Sequence, residues 1–165
     1  MTTTVSTVTQ VHRVFIKAPI DKVWQAITDT DWNDKYGYLC KAYYDLRPGG
    51  EYRVDATPEM LEFGSPEVMI TGEIIECDPP RRLVQTWFPY FEEATIAEGP
   101  RRVTWELEER FDTTMLTLTH ELDNAPATAR QVAGDVENAG GGWPFILSDL
   151  KTFLETGTPM GADMA

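Results

Sequence analysis

The sequence predicts an α+β domain in which a curved antiparallel sheet of six to seven strands wraps one long C-terminal helix, with short helices near the N-terminal end. Two observations predict it. Between residues 51 and 122 apolar residues recur with a period of two in short segments, spaced roughly 8 to 14 residues apart, as in an antiparallel meander. From Trp143 the period changes: Trp143, Ile146, Leu147, Leu150, Phe153 and Leu154 follow the three-and-four spacing of one helix face. No other segment carries so long an apolar stripe, so this helix must cover the apolar face of the sheet.

The elements follow in order. "VHRVFIKA", residues 11–18, is β-branched and aromatic and reads as a strand closed by Pro19. "PIDKVWQAITD" then sets Val23, Trp24 and Ile27 at helical spacing behind a proline suited to a helix start. "TDWNDKYGYLCKAYYDLRPGG", residues 30–50, is aromatic and turn-rich and reads as a short helix or loop leading into a strand. Strands follow at "EYRVDA", "EVMITGEIIECD", "RLVQTWF", "RRVTWELEER" and "TTMLTLTHEL". In the fourth of these Val103, Trp105 and Leu107 alternate with Thr104, Glu106 and Glu108, the mark of one wet face. The last sets Leu116, Leu118, His120 and Leu122 on one side.

The final helix carries Ser148, Asp149, Lys151, Thr152 and Glu155 on its polar face and stops at Gly157 and Pro159. Pro144 lacks an amide, which predicts a break or kink around Gly140 to Pro144, separating a short helix near "TARQVAGDVEN" from the main one. The run Gly140–Gly142 reads either as a flexible joint or as a close backbone approach under Trp143.

At 165 residues the chain fits one domain, residues 1–165, with a core of about 11–156 and frayed ends at 1–9 and 159–165. A net charge of −13 repels phosphate backbones and anionic lipid, which argues against nucleic acid and membrane as partners. Cys40 and Cys77 are too isolated for a disulfide framework, as expected in the cytoplasm, and no apolar run is long enough to span a bilayer.

Chemistry-bearing residues are few. His12, His120 and two scattered cysteines do not make a metal site, so no metal or cofactor is expected. No nucleophile elbow is present, and Pro48–Gly50 is a hairpin turn rather than a phosphate loop. His120 faces inward beside Leu118. It reads as a structural histidine bonded to a carbonyl or to Trp143, as a ligand contact, or as a catalytic general base. Glu73, Glu106, Glu108 and Glu121 read as outer-face charges. Tyr52, Val54, Trp87, Trp105, Leu118, His120, Trp143, Leu147 and Leu150 form the candidate ligand wall. Tyr36, Tyr38, Tyr43 and Tyr44 cluster near its mouth. The loops holding Met60, Leu61, Phe63, Tyr90 and Phe91 read as a lid or as a homodimer contact.

The order of "VFIKAPIDKVWQAIT", "LRPGGEYRV", "GEIIECDPPRRLVQTW", "VTWELEE", "TMLTLTHE" and "GGWPFILSDLKTFLE" resembles the START-like (SRPBCC) helix-grip superfamily of polyketide cyclases, lipid-transfer proteins and pollen allergens. Within it the chain is most similar to the branch named after the activator of the heat-shock protein 90 ATPase. The resemblance spans about residues 11–156. It departs at Trp32, which is followed by "NDKYGY", and at the expanded glycines before Trp143, where the family's long helix tends to run through. Three functions are implied: a cavity holding an apolar or aromatic small molecule, a chaperone-cofactor module for protein interaction, or a cyclase- or hydrolase-type enzyme using His120. The activator proteins carry a further N-terminal domain, which weakens the second.

Overall fold

A computed structural model describes residues 8–136 and 140–160. The chain begins with β1 (Thr9–Ile16), α1 (Ile20–Thr28), α2 (Thr30–Asn33), β2 (Ala42–Tyr44), β3 (Glu51–Asp55) and α3 (Pro58–Glu62). It continues through β4 (Val68–Asp78), β5 (Arg82–Pro89), α4 (Glu93–Glu98), β6 (Arg101–Arg110), β7 (Thr113–Glu121), α5 (Pro126–Ala133) and α6 (Gly142–Thr156). The seven strands form one antiparallel sheet in the order β1-β7-β6-β5-β4-β3-β2. Register shifts at Val54/Asp55 and Ile74/Glu76 bend the β3–β4–β5 half, because a bulge adds a residue to one strand of a pair and increases its twist. The result is the expected α+β helix-grip architecture.

Alternation along β6 and β7 fills the concave side. Val103, Trp105, Leu107, Leu116, Leu118 and His120 are buried, while Glu106, Glu108 and Glu121 are exposed. Opposite them α6 buries Trp143, Leu147, Leu150 and Phe153. Its far end is tied to the β1–α1 corner, where Lys151 Nζ donates to the Phe15 carbonyl at 2.7 Å and Glu155 accepts from the Lys17 amide at 2.8 Å.

Four expectations need correction. Asp149, expected on the wet face of α6, is 1% exposed. Its carboxylate accepts from the Gly37 amide at 2.8 Å and from the Met160 amide at 2.6 Å. A period-based reading assigns a carboxylate to solvent because it sees only the helix and not the loop that folds over it. Second, the loops after β3 and β5 contain short helices, α3 and α4. Third, Thr9 is already paired with Glu121 in β1, and Met160 is anchored by Asp149, so neither belongs to a frayed end. Residues 1–7 and 161–165 lie outside the described residues.

The fourth concerns only the place of Pro144, since a short helix, α5, is separated from α6 as expected. α5 stops at Ala133, with Gly134 in the left-handed conformation as its cap, and α6 starts at Gly142. Pro144 lies in the first turn of α6, where a missing amide costs nothing. The helix is therefore not kinked at Pro144; the separation lies upstream, and residues 137–139 of it are outside the described residues. Gly142 has φ +65, and a Cβ there would run into the Val132 carbonyl. Close backbone approach accounts for this glycine.

Candidate functional site

The bent half of the sheet diverges from α6 and leaves a cavity of about 760 Å³. Tyr52 and Val54 come to its wall from β3, Ile70 from β4, Trp87 from β5, Trp105 from β6, and Trp143 and Ile146 from α6. Tyr36, Tyr38, Cys40 and Tyr44 close one side, and Met60, Phe63 and Phe91 stand at the loops around it. Phe63 is 90% exposed although it contributes to the lining, which puts it at the rim.

The aromatic groups pack in defined geometry. Trp143 lies 5.4 Å from Trp87, tilted, and 5.7 Å edge-on from Trp105. Tyr44 and Tyr52 rings are 4.7 Å apart. Such contacts fix large side chains in single rotamers, so the wall is pre-formed. Behind it, Trp105 Nε1 donates to Gln85 Oε1 at 3.2 Å and Trp143 Nε1 donates to His120 Nδ1 at 3.0 Å. Tyr36 is oriented by its hydroxyl donating to the Ala26 carbonyl at 2.9 Å.

Electrostatics keep this region neutral. Burial raises the phenols of Tyr36, Tyr44 and Tyr52 well above their usual range, so they remain protonated donors. Burial pushes the Cys40 thiol up to about 11, which leaves no thiolate for nucleophilic chemistry near neutrality. His120 is held down to about 3, mainly by burial and further by the charges of His12 and Arg101, so its imidazole is neutral. Among the described residues no three His, Cys, Asp or Glu side chains gather as a metal-binding group.

A family model, Activator of Hsp90 ATPase homolog 1-like protein, matches residues 17–155. The chain belongs to this family. No curated protein matches it. Among solved structures it is similar to CalU16 from Micromonospora echinospora, at 26% identity and a TM-score of 0.63, covering 92% of this chain and 78% of that one. DynU16, from the dynemicin biosynthetic locus, shares the fold at 22% identity and a TM-score of 0.65, covering 92% of this chain and 48% of that one. The Aha1 dimer from Colwellia psychrerythraea does so at 20% identity and a TM-score of 0.58, covering 91% and 98%.

Within this activator-homologue domain, Tyr52, Val54, Trp87, Trp105 and Trp143 share the cavity wall. Leu118, His120, Leu147 and Leu150 lie outside the lining, fully buried or nearly so in the core behind it. For His120 the reason is steric: Trp143 and Trp87 stand against it, with ring centroids at 6.0 and 5.2 Å. Of the mouth tyrosines, Tyr36, Tyr38 and Tyr44 line the cavity, whereas Tyr43 turns outward beneath the Arg53 guanidinium. Sequence reasoning missed Asn33, Ala42, Met69 and Ile146 as lining residues. Ile146 was legible from the α6 stripe, but Asn33 and Ala42 sit in the turn-rich segment whose path no period reveals.

Proposed function

We propose that this protein binds a flat, largely apolar aromatic small molecule in the cavity between the sheet and α6, in the cytoplasm, without transforming it. The observation that carries this reading is the convergence of three indoles, from two strands and α6, on one cavity of about 760 Å³. That size suits a ligand of a few fused rings. The position of His120 behind Trp143 supports binding over general-base chemistry, since a base must reach the proton it removes.

A thermal-shift screen against flavonoids, polyketides, aromatic amines and fatty acids tests it. A ligand held at 100 times its Kd adds about 2.7 kcal/mol of stability. The reading expects a rise in Tm confined to flat aromatic compounds. No shift across the panel, together with stimulation of a heat-shock protein 90 ATPase, would replace it with the chaperone-cofactor role suggested by the family name.

A homodimer is a separate proposal, favoured by Val11 and Phe15 on the outermost strand β1 and by Phe111, all exposed. Sedimentation showing only monomer at high concentration would refute it.

A further inference from the structure

Among the described residues, the cavity lining holds aromatic, aliphatic and neutral polar side chains and no Asp, Glu, Lys, Arg or His. Lys35, Lys41, Arg53 and Arg130 each adjoin a wall residue in the chain, yet none of them lies in the lining. None of residues 1–7, 137–139 and 161–165 is a Lys, Arg or His. An anion taken into this cavity would lose its hydration without gaining a basic side chain.

The backbone offers an anion little more. The N-terminus of a long helix is ordinarily a seat for negative charge, through its free amides. Gly142 and Trp143, which open α6, do line the cavity, but the Gly142 amide donates to the Tyr38 hydroxyl at 3.0 Å, and Pro144 has no amide to give. Of the first three positions of the helix, one donor is taken and one is missing. Donors on the wall are committed as well: Asn33 Nδ2 donates to the Ala42 carbonyl and the Tyr36 hydroxyl to the Ala26 carbonyl, each at 2.9 Å. Behind Gly37, a wall residue, the buried Asp149 side chain accepts the Gly37 amide at 2.8 Å and belongs to none of the ion pairs among the described residues. The ionisable group packed there is an acid rather than a base.

We propose that the cavity excludes anions: its ligand enters only in a form without negative charge, so aromatic amides, esters and ketones are accepted and carboxylates, fatty acids included, are rejected. This deepens the binding reading above and rests on it. The Gly142–Pro144 start of α6, with Tyr38 set on its first amide, then acts as a selectivity device, since it removes the anion seat that the helix would otherwise present to the ligand.

Fluorescence titration of the unaltered protein near neutral pH with anthracene-2-carboxamide and anthracene-2-carboxylate, alike in shape and different in charge, tests the exclusion. The amide is expected to bind about a hundredfold more tightly, the effect of burying a charge with no partner. Ile146→Lys, which sets an ammonium at the wall, should strengthen carboxylate binding by about tenfold and leave amide binding within about threefold. The comparison on the unaltered protein stands whether or not that variant folds. Equal affinity for the pair would overturn the exclusion while leaving the cavity as a binding site, as would a gap left unchanged in folded Ile146→Lys. Binding of neither compound would overturn the binding reading and the exclusion with it.

Discussion

The indole Nε1 of Trp143 on α6 donates to Nδ1 of His120 on β7 at 3.0 Å, so a buried bond pins the gripping helix to the strand next to the β1 edge of the sheet. His120 therefore serves as an acceptor, and only its neutral form can do so. Replacing it with alanine strands the indole N–H and opens a void, which should destabilise the fold by about 2–4 kcal/mol in urea denaturation at pH 7.

The same bond has a pH signature. The unfolded chain protonates this histidine near 6.5, while the folded one resists until about 3. Since the folded-state value is depressed, stability from this group is complete above pH 6.5 and is lost as the pH falls from there toward 3, by about 1 kcal/mol per pH unit. His12, also lowered by burial, acts in the same sense. His120→Gln should show a shallower loss between pH 7 and pH 5 than the unaltered protein; parallel curves would contradict this account.

Asp149 joins three parts of the chain, because its carboxylate holds the Gly37 amide and the Met160 amide to α6. Asp149→Ala leaves both amides without their acceptor and should cost about 2–4 kcal/mol, whereas Asp149→Asn, retaining one oxygen, should cost roughly half. Because Tyr36, Gly37 and Tyr38 border the cavity, the alanine variant should also weaken ligand binding, and titration on the folded fraction measures that loss.

Gly142 sets how closely α6 approaches α5. With φ +65 and the Val132 carbonyl against the site of a Cβ, Gly142→Ala is strained in two ways at once. A loss of about 1–3 kcal/mol in thermal or urea unfolding is expected. A neutral result would restore the reading of the glycines as a loose joint.

Phe63 separates binding from stability. At 90% exposure it contributes little to the core, so Phe63→Ser should change stability by no more than about 0.5 kcal/mol. Its place at the cavity rim predicts faster ligand release from that variant, readable by stopped-flow fluorescence.

Most of the fold was legible because two periods dominate the chain. The alternation in β6 and β7 and the stripe on α6 name the buried residues directly, and five proposed wall residues, Tyr52, Val54, Trp87, Trp105 and Trp143, do share one cavity. Period alone does not distinguish a residue facing the ligand from one facing the helix. Leu118 and His120 share a face with the wall residues, yet they are fully buried outside the cavity lining, His120 against Trp143 of α6. Bulges at Val54/Asp55 and Ile74/Glu76 decide where the surfaces part, and they leave no mark in hydrophobic patterning. Asp149 escaped for a related reason, since its partners are backbone amides distant in sequence.

The cavity beside Trp87, Trp105 and Trp143 is the proposed seat of the ligand. The chain has five tryptophans, and Trp24 and Trp32 lie outside the lining. A ¹H–¹⁵N spectrum of the five indole N–H groups, recorded as a flat aromatic compound such as xanthone is added, reports on all of them in the unaltered protein. Shifts confined to Trp87, Trp105 and Trp143 are the predicted result. Shifts at Trp24 and Trp32 with the other three unmoved, or no shift at saturation, would contradict it.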